Sequence, residues 1–170
     1  MALAKQLTSP SPSCCFKEKI GWSVPEDLGA DIAVFVHCDV NIESDVEKAV
    51  DTAISTFGKL DIMVNNAAVG DPRKPSIVDN DLADFERVVK VNLIGVFLGT
   101  KHAARSMVPA RQGSIITLGS VCSSVGGVAS HAYTSTKHAI VGLAKNAAAE
   151  LGQFGIRMNC LSPSLKHHWQ

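Results

Sequence analysis

Aromatic side chains are scarce in this chain: they make up 5% of its 170 residues, and only one of them is a tyrosine. A surplus of charge of one sign is lacking too, because 16 acidic residues balance 16 basic ones. With no basic run or patch, the sequence argues against a nucleic-acid partner. No apolar stretch approaches the roughly 18 residues that a membrane span needs. The five cysteines, Cys14, Cys15, Cys38, Cys122 and Cys160, form no C-x-x-C and no His/Cys ligand spacing, and their number is odd. That argues against a disulfide scaffold and a zinc site, and makes a reducing compartment, the cytoplasm, the default expectation. Cys38 and Cys160 fall in apolar runs and read as small core residues. The first 17 residues hold no acid and several Ser and Pro, faintly like a plastid transit peptide. They also hold no arginine and no apolar secretory core, so an irregular N-terminus is the simpler reading.

What is present reads as one soluble-type α/β unit. Apolar residues make up 46% and charged residues 19%, enough for a sizeable core. Residues 1–24 read as irregular, 25–164 as the domain and 165–170 as a tail. Ile32 to His37 is a short β-rich run that predicts a buried strand. Ser44 to Phe57 has helical spacing, with Gly58 as a stop. Leu60 to Val64 predicts a second strand, and Asp71 to Asn80 a polar loop. Asp81 to Met107 predicts a long helix ended by Pro109. Ser114 to Leu118 reads as a third strand, Gly119 to Ser130 as a loop of small residues, His131 to Phe154 as a helix, and Ile156 to Leu161 as a fourth strand. Strands separated by single helices imply parallel pairing with right-handed crossovers, the doubly wound α/β class. Ligands in such sheets bind beyond the carboxyl ends of the strands, where Asp39, Asn65, Ser120 and Pro163 fall.

The single tyrosine begins Tyr133-Thr-Ser-Thr-Lys137, and Ser120 lies thirteen residues upstream. A phenol works as an acid/base for an alcohol or carbonyl only if it ionises well below its usual value of about 10. A lysine at i+4 on a helix shares the tyrosine's face, and its positive charge favours the phenolate. A serine hydroxyl can hold the substrate oxygen while charge develops on it. Taken alone, the pattern also fits a half-buried tyrosine beside a solvated lysine.

Further segments occur in order: VHCDV (36–40), GKLDIMVNNAA (58–68), VNLIGVF (91–97), KHAAR (101–105), GSIITLGS (113–120), YTSTKHA (133–139) and ELGQFGIRMNCLSP (150–163). From about residue 30 to Ser164 the chain resembles the short-chain dehydrogenase/reductase family, most of all its plant secondary-metabolism branch. The resemblance implies a Rossmann-like doubly wound sheet and an oxidoreductase that moves a hydride between a nicotinamide cofactor and a secondary alcohol or ketone. It implies catalytic roles for Asn92 (a water in a proton relay), Ser120 (the substrate oxygen), Tyr133 (acid/base) and Lys137 (its cationic partner and a contact to the cofactor ribose). It implies cofactor contacts from Asp39, Val40, Asn65, Ala67, Tyr133, Lys137 and Pro163, with NAD expected and NADP left open. Ala68 stands where the family usually has glycine, which matters only if the backbone there needs a positive φ. Gly95-x-x-x-Gly99 reads as a place for close helix packing, and the two long helices as the homo-oligomer interface.

The resemblance also shows what is not in the sequence. The family's T-G-x-x-x-G-x-G loop, which carries the cofactor pyrophosphate on backbone N–H groups, has no counterpart before residue 30. In the strand order 3-2-1-4-5-6, the chain keeps the equivalents of strands 3 to 6 and lacks the first two and the last. Strand 3 would then have no native neighbour. A second expectation follows: a catalytically inactive fragment that pairs with full-length relatives through helices 81–107 and 131–154. His167 and His168 read as part of a frayed end rather than as metal ligands.

Overall fold

The computed structural model describes residues 33–74 and 76–163. A parallel sheet of three strands forms its centre, in the order β1 (Ile62–Asn65), β2 (Gly113–Leu118), β3 (Ile156–Leu161). Helix α1 (Glu43–Phe57) precedes it. A long rod joins β1 to β2, made of α2 (Leu82–Val89), a π-helical turn (Lys90–Ile94) and α3 (Gly95–Ala110). Helix α4 (His131–Leu151) joins β2 to β3. This is the expected doubly wound pattern, incomplete. The irregular N-terminal segment and the tail proposed from the sequence lie outside the described residues.

The helices cover one face of the sheet. Met63, Ile115, Ile156 and Met158 point into a core closed by Val50, Ala103, Met107, Ala144 and Leu151. Alternation along the strands sends Ile62, Val64, Ile116, Arg157, Asn159 and Leu161 to the other face. That face carries a groove of about 530 Å³ lined by Asp61, Ile116, Arg157 and Leu161, among others, and Leu161 is 52% exposed. Parallel sheets normally have both faces covered.

Among the described residues the strand expected at 32–37 is not present. Ile32 lies outside the described residues, and 33–38 hold no strand. Val34 is 41% exposed, while Cys38 is buried against Val46 and Leu98. The long helix forms with a changed interior and end. Its middle relaxes into the π turn, and it runs past Pro109 to Ala110, stopping at Arg111 with φ 50°. Gly58 stops α1 as expected, with φ 81°.

The Gly95/Gly99 pair serves a different contact from the helix packing expected of it. A Cβ on Gly95 would come to 2.9 Å of the Val40 side chain, and one on Gly99 would strike Asn65 Oδ1 and crowd Met63. The small residues let α3 sit close on β1 and on the turn before α1.

Candidate active site

Helix α4 opens at Ser130, whose Oγ accepts the Tyr133 N–H at 3.2 Å. Tyr133 therefore sits in the first helical turn, half-buried. Lys137 is one turn on and 3% exposed. Its Nζ donates to Leu118 O at 2.7 Å, at the carboxyl end of β2, and stands 5.3 Å from the centroid of the Tyr133 ring. Burial pushes the Lys137 ammonium below its ordinary value, an effect partly offset by the nearby Cys160 and Cys122 thiols. Strand β2 thus fixes the lysine through a carbonyl, and the lysine holds its charge near the tyrosine.

Ser120 lies two residues beyond Leu118. A capping box orients it: Ser120 Oγ accepts the Cys122 N–H at 3.2 Å, and its own N–H donates to Ser123 Oγ at 3.1 Å. The box leaves the Ser120 hydroxyl proton uncommitted within that turn. The loop is pinned to the end of β3, since Gly119 N–H donates to Leu161 O at 2.6 Å and Val121 N–H to Pro163 O at 3.0 Å. Pro163 is exposed beside this loop.

Asn92 is fully buried in the π turn. Its Oδ1 accepts the Val69 N–H at 2.8 Å, and its Nδ2 donates to Val69 O at 2.9 Å and to Thr136 Oγ1 at 3.3 Å. The amide staples the rod to the segment after β1 and to α4. Asn65 is also buried, its Nδ2 donating to Thr100 Oγ1 at 3.1 Å and Thr117 Oγ1 at 3.4 Å. Its side chain braces β1 against α3 and β2 and is not turned out toward a ligand. Oδ1 of Asn65 is buried without a partner among the described residues.

Asp39 is half-buried, and its Oδ1 is occupied within its own turn, accepting Asn41 N–H at 2.9 Å and Asn41 Nδ2 at 2.8 Å. Asp39 does not cap α1, whose N-cap is Ile42. Val40 is buried against Gly95. Ala67 and Ala68 are half-buried, and among the described residues only Arg111 carries a positive φ outside glycine, so Ala68 is unstrained. Cys160 is only partly buried, less of a core residue than its apolar run implied. Among the described residues no group of His, Cys, Asp and Glu could hold a metal ion.

The structure thus gathers Tyr133, Lys137, Ser120 and Asn92 at one end of the sheet, and keeps Asp39 and Val40 at the start of α1. Sequence reasoning missed Ser130, Thr136 and Asp71, which tie the tyrosine turn in place. Only Ser130 left a signal, a serine three residues ahead of the tyrosine at a helix start.

A family model described as enoyl-(acyl carrier protein) reductase, adh_short_C2, matches residues 19–167. The chain belongs to the short-chain dehydrogenase/reductase family. Within this family it is 56% identical over 147 residues to secoisolariciresinol dehydrogenase of Forsythia intermedia, covering 86% of this chain and 53% of that protein. It is 56% identical over 148 residues to momilactone A synthase of Oryza sativa subsp. japonica, covering 87% and 54%. Xanthoxin dehydrogenase of Arabidopsis thaliana is 50% identical over 131 residues, covering 77% and 46%. The chain spans about half the length of these relatives. ElxO with NADP bound superposes with a TM-score of 0.77 at 29% identity, over 89% of this chain and 60% of that one.

A nicotinamide cofactor fits the residues of this short-chain dehydrogenase/reductase unevenly. At the tyrosine end, the buried Lys137 ammonium has three donors, and Leu118 O takes one. At the α1 end, Asp39 Oδ1 is already committed, and Val40 and Asn65 have side chains sealed into packing. What they offer a ligand is backbone and the second Asp39 oxygen.

Proposed function

We propose that this chain carries the catalytic corner of a nicotinamide-dependent oxidoreductase that interconverts a secondary alcohol and a ketone. The observation that carries it is a buried Lys137 cation, fixed by β2, 5.3 Å from the ring of the chain's single tyrosine. A bound nicotinamide would supply or accept the hydride. In the reductive direction the Tyr133 hydroxyl gives its proton to the carbonyl oxygen, and Lys137 favours the phenolate that results. The Ser120 hydroxyl, oriented by its capping box, donates to the same oxygen. The Asn92 Nδ2 protons are spent on Val69 and Thr136, so a relay water of the kind the resemblance implies would have to be held without them. Lys137 would also hold the cofactor ribose, with Asp39, Ala67 and Pro163 and the backbone of Val40 and Asn65 around the rest. The plant branch that the chain resembles suggests NAD as cofactor, while ElxO was solved with NADP.

The test is oxidation of a panel of alcohols, including secoisolariciresinol and borneol, with NAD or NADP, followed at the reduced nicotinamide. Turnover is expected, with Tyr133→Phe lowering kcat by about 10² to 10⁴. No turnover by the folded chain would overturn the reading. A second reading rests on the half-exposed Ile94 and Phe97 of the rod. On that reading the rod and α4 form an oligomer interface, with a second copy or with a full-length relative. Size exclusion after co-expression with such a relative decides it: co-elution supports the pairing, and separate peaks refute it.

A further inference from the structure

The backbone of Tyr133 is held at both ends by side-chain hydroxyls. Its N–H donates to Ser130 Oγ at 3.2 Å, and its C=O accepts from Thr136 Oγ1 at 2.8 Å. Each hydroxyl is anchored in turn. Ser130 Oγ donates to the Asp71 carboxylate. Thr136 Oγ1 accepts from Asn92 Nδ2, and Asn92 is bound to both the N–H and the C=O of Val69. Both lines end on one short segment, Val69 to Asp71, just after β1.

The proton accounting leaves little freedom. The one hydroxyl proton of Thr136 goes to Tyr133 O, so its oxygen can only accept from Asn92. Val69 N–H needs an acceptor, which fixes Asn92 Oδ1 toward it and rules out the flipped amide. The Ser130 proton goes to Asp71, leaving its lone pairs for Tyr133 N–H. Thr136 and Asn92 are almost wholly enclosed, at 1% and 0% exposed. The first turn of a helix lacks intrahelical partners for its N–H groups and frays most easily. A phenol on that turn keeps its position only if something outside the helix fixes the turn.

We propose that Asp71 and Thr136 are positioning residues for Tyr133, and that the Val69–Asp71 segment sets where the phenol sits relative to Lys137. The proposal rests on the acid/base reading of Tyr133, but its test needs no turnover.

Asp71→Ala, Thr136→Val and Thr136→Ser are compared with the parent chain by NMR. In Thr136→Val the Val69 amide is expected to exchange about tenfold faster, and in Asp71→Ala the Tyr133 amide likewise, while Ile115 in β2 keeps its protection. The Overhauser contacts between the Tyr133 ring and the Lys137 methylenes weaken in both variants. Thr136→Ser restores amide protection and ring contacts together. Unchanged ring contacts, or a serine variant that behaves like valine, would overturn the proposal. Should a variant not fold, the parent decides: both Nδ2 protons of Asn92 exchange slowly if the clamp exists, and free exchange of either refutes it. Absent turnover with an intact clamp would sink the oxidoreductase reading alone.

Discussion

Lys137 shows how a single buried group shapes the behaviour of the chain with pH. Its ammonium is held below its ordinary value by burial. A base with a depressed folded value binds fewer protons when folded, so stability rises with pH between that value and the unfolded 10.5. Below the window the chain bears the full cost of the buried charge. Urea denaturation across alkaline pH should show this rise in the parent and its loss in Lys137→Met. Asn92 is the opposite case, a polar group whose burial is fully answered by hydrogen bonds. Asn92→Leu leaves the part-buried N–H and C=O of Val69 without their side-chain partners, and is expected to cost about 1–3 kcal/mol in urea denaturation. A loss well under 1 kcal/mol would mean that Val69 finds other partners.

Among the elements, α3 depends on glycine where it meets β1, and α4 does not where it faces solvent. Gly99→Ala drives a Cβ into Asn65 Oδ1 and Met63, and overpacking of this kind costs about 1–3 kcal/mol. Gly142, inside α4, has nothing within 4 Å of an added Cβ. Gly142→Ala should instead stabilise by about 0.5–1 kcal/mol, because glycine is the weaker helix former. Thermal melts of the two variants should therefore move in opposite directions. The same contrast marks what the sequence could tell. Apolar spacing announced α1, α4, β2 and β3, because each buries one periodic face. It also suggested a strand at 32–37, where the described residues 33–37 hold none, because a β-rich composition does not by itself make a ladder. It could not show the π turn, because Asn92 is drawn inward by Val69 and Thr136, residues far off in sequence. The closeness of Lys137 to Tyr133 was legible, because a lysine four residues on shares the tyrosine's helix face. Thr136 and Asp71 were not, because small polar residues are common and their value here lies in partners brought together by folding.

At the scale of the whole molecule, α1 is tied to the long rod by charge as well as by packing. Glu43 pairs with Lys101 at 2.6 Å and with the buried His102 at 3.1 Å, and Arg105 reaches both Glu47 and Asp51. The Lys101 and His102 hydrogen bonds hold the Glu43 carboxyl below 4.5. A carboxyl with a depressed folded value adds stability that is complete above 4.5 and disappears as pH falls through the folded value. The stability difference between the parent and Glu43→Gln should accordingly be present at neutral pH and close on acidification. A difference independent of pH would place the contribution elsewhere. The sheet itself carries a consequence for how the chain comes into being. Ile62 meets Ser114, and Gly113 meets Ile156, so each pairing joins residues more than forty positions apart. No hairpin can seed this sheet, and closure of each ladder must wait for an intervening helix to be made and docked. On the ribosome β1 would emerge long before its partner, with Ile62 and Val64 exposed in the interval. That interval is when a chaperone would have the most to hold.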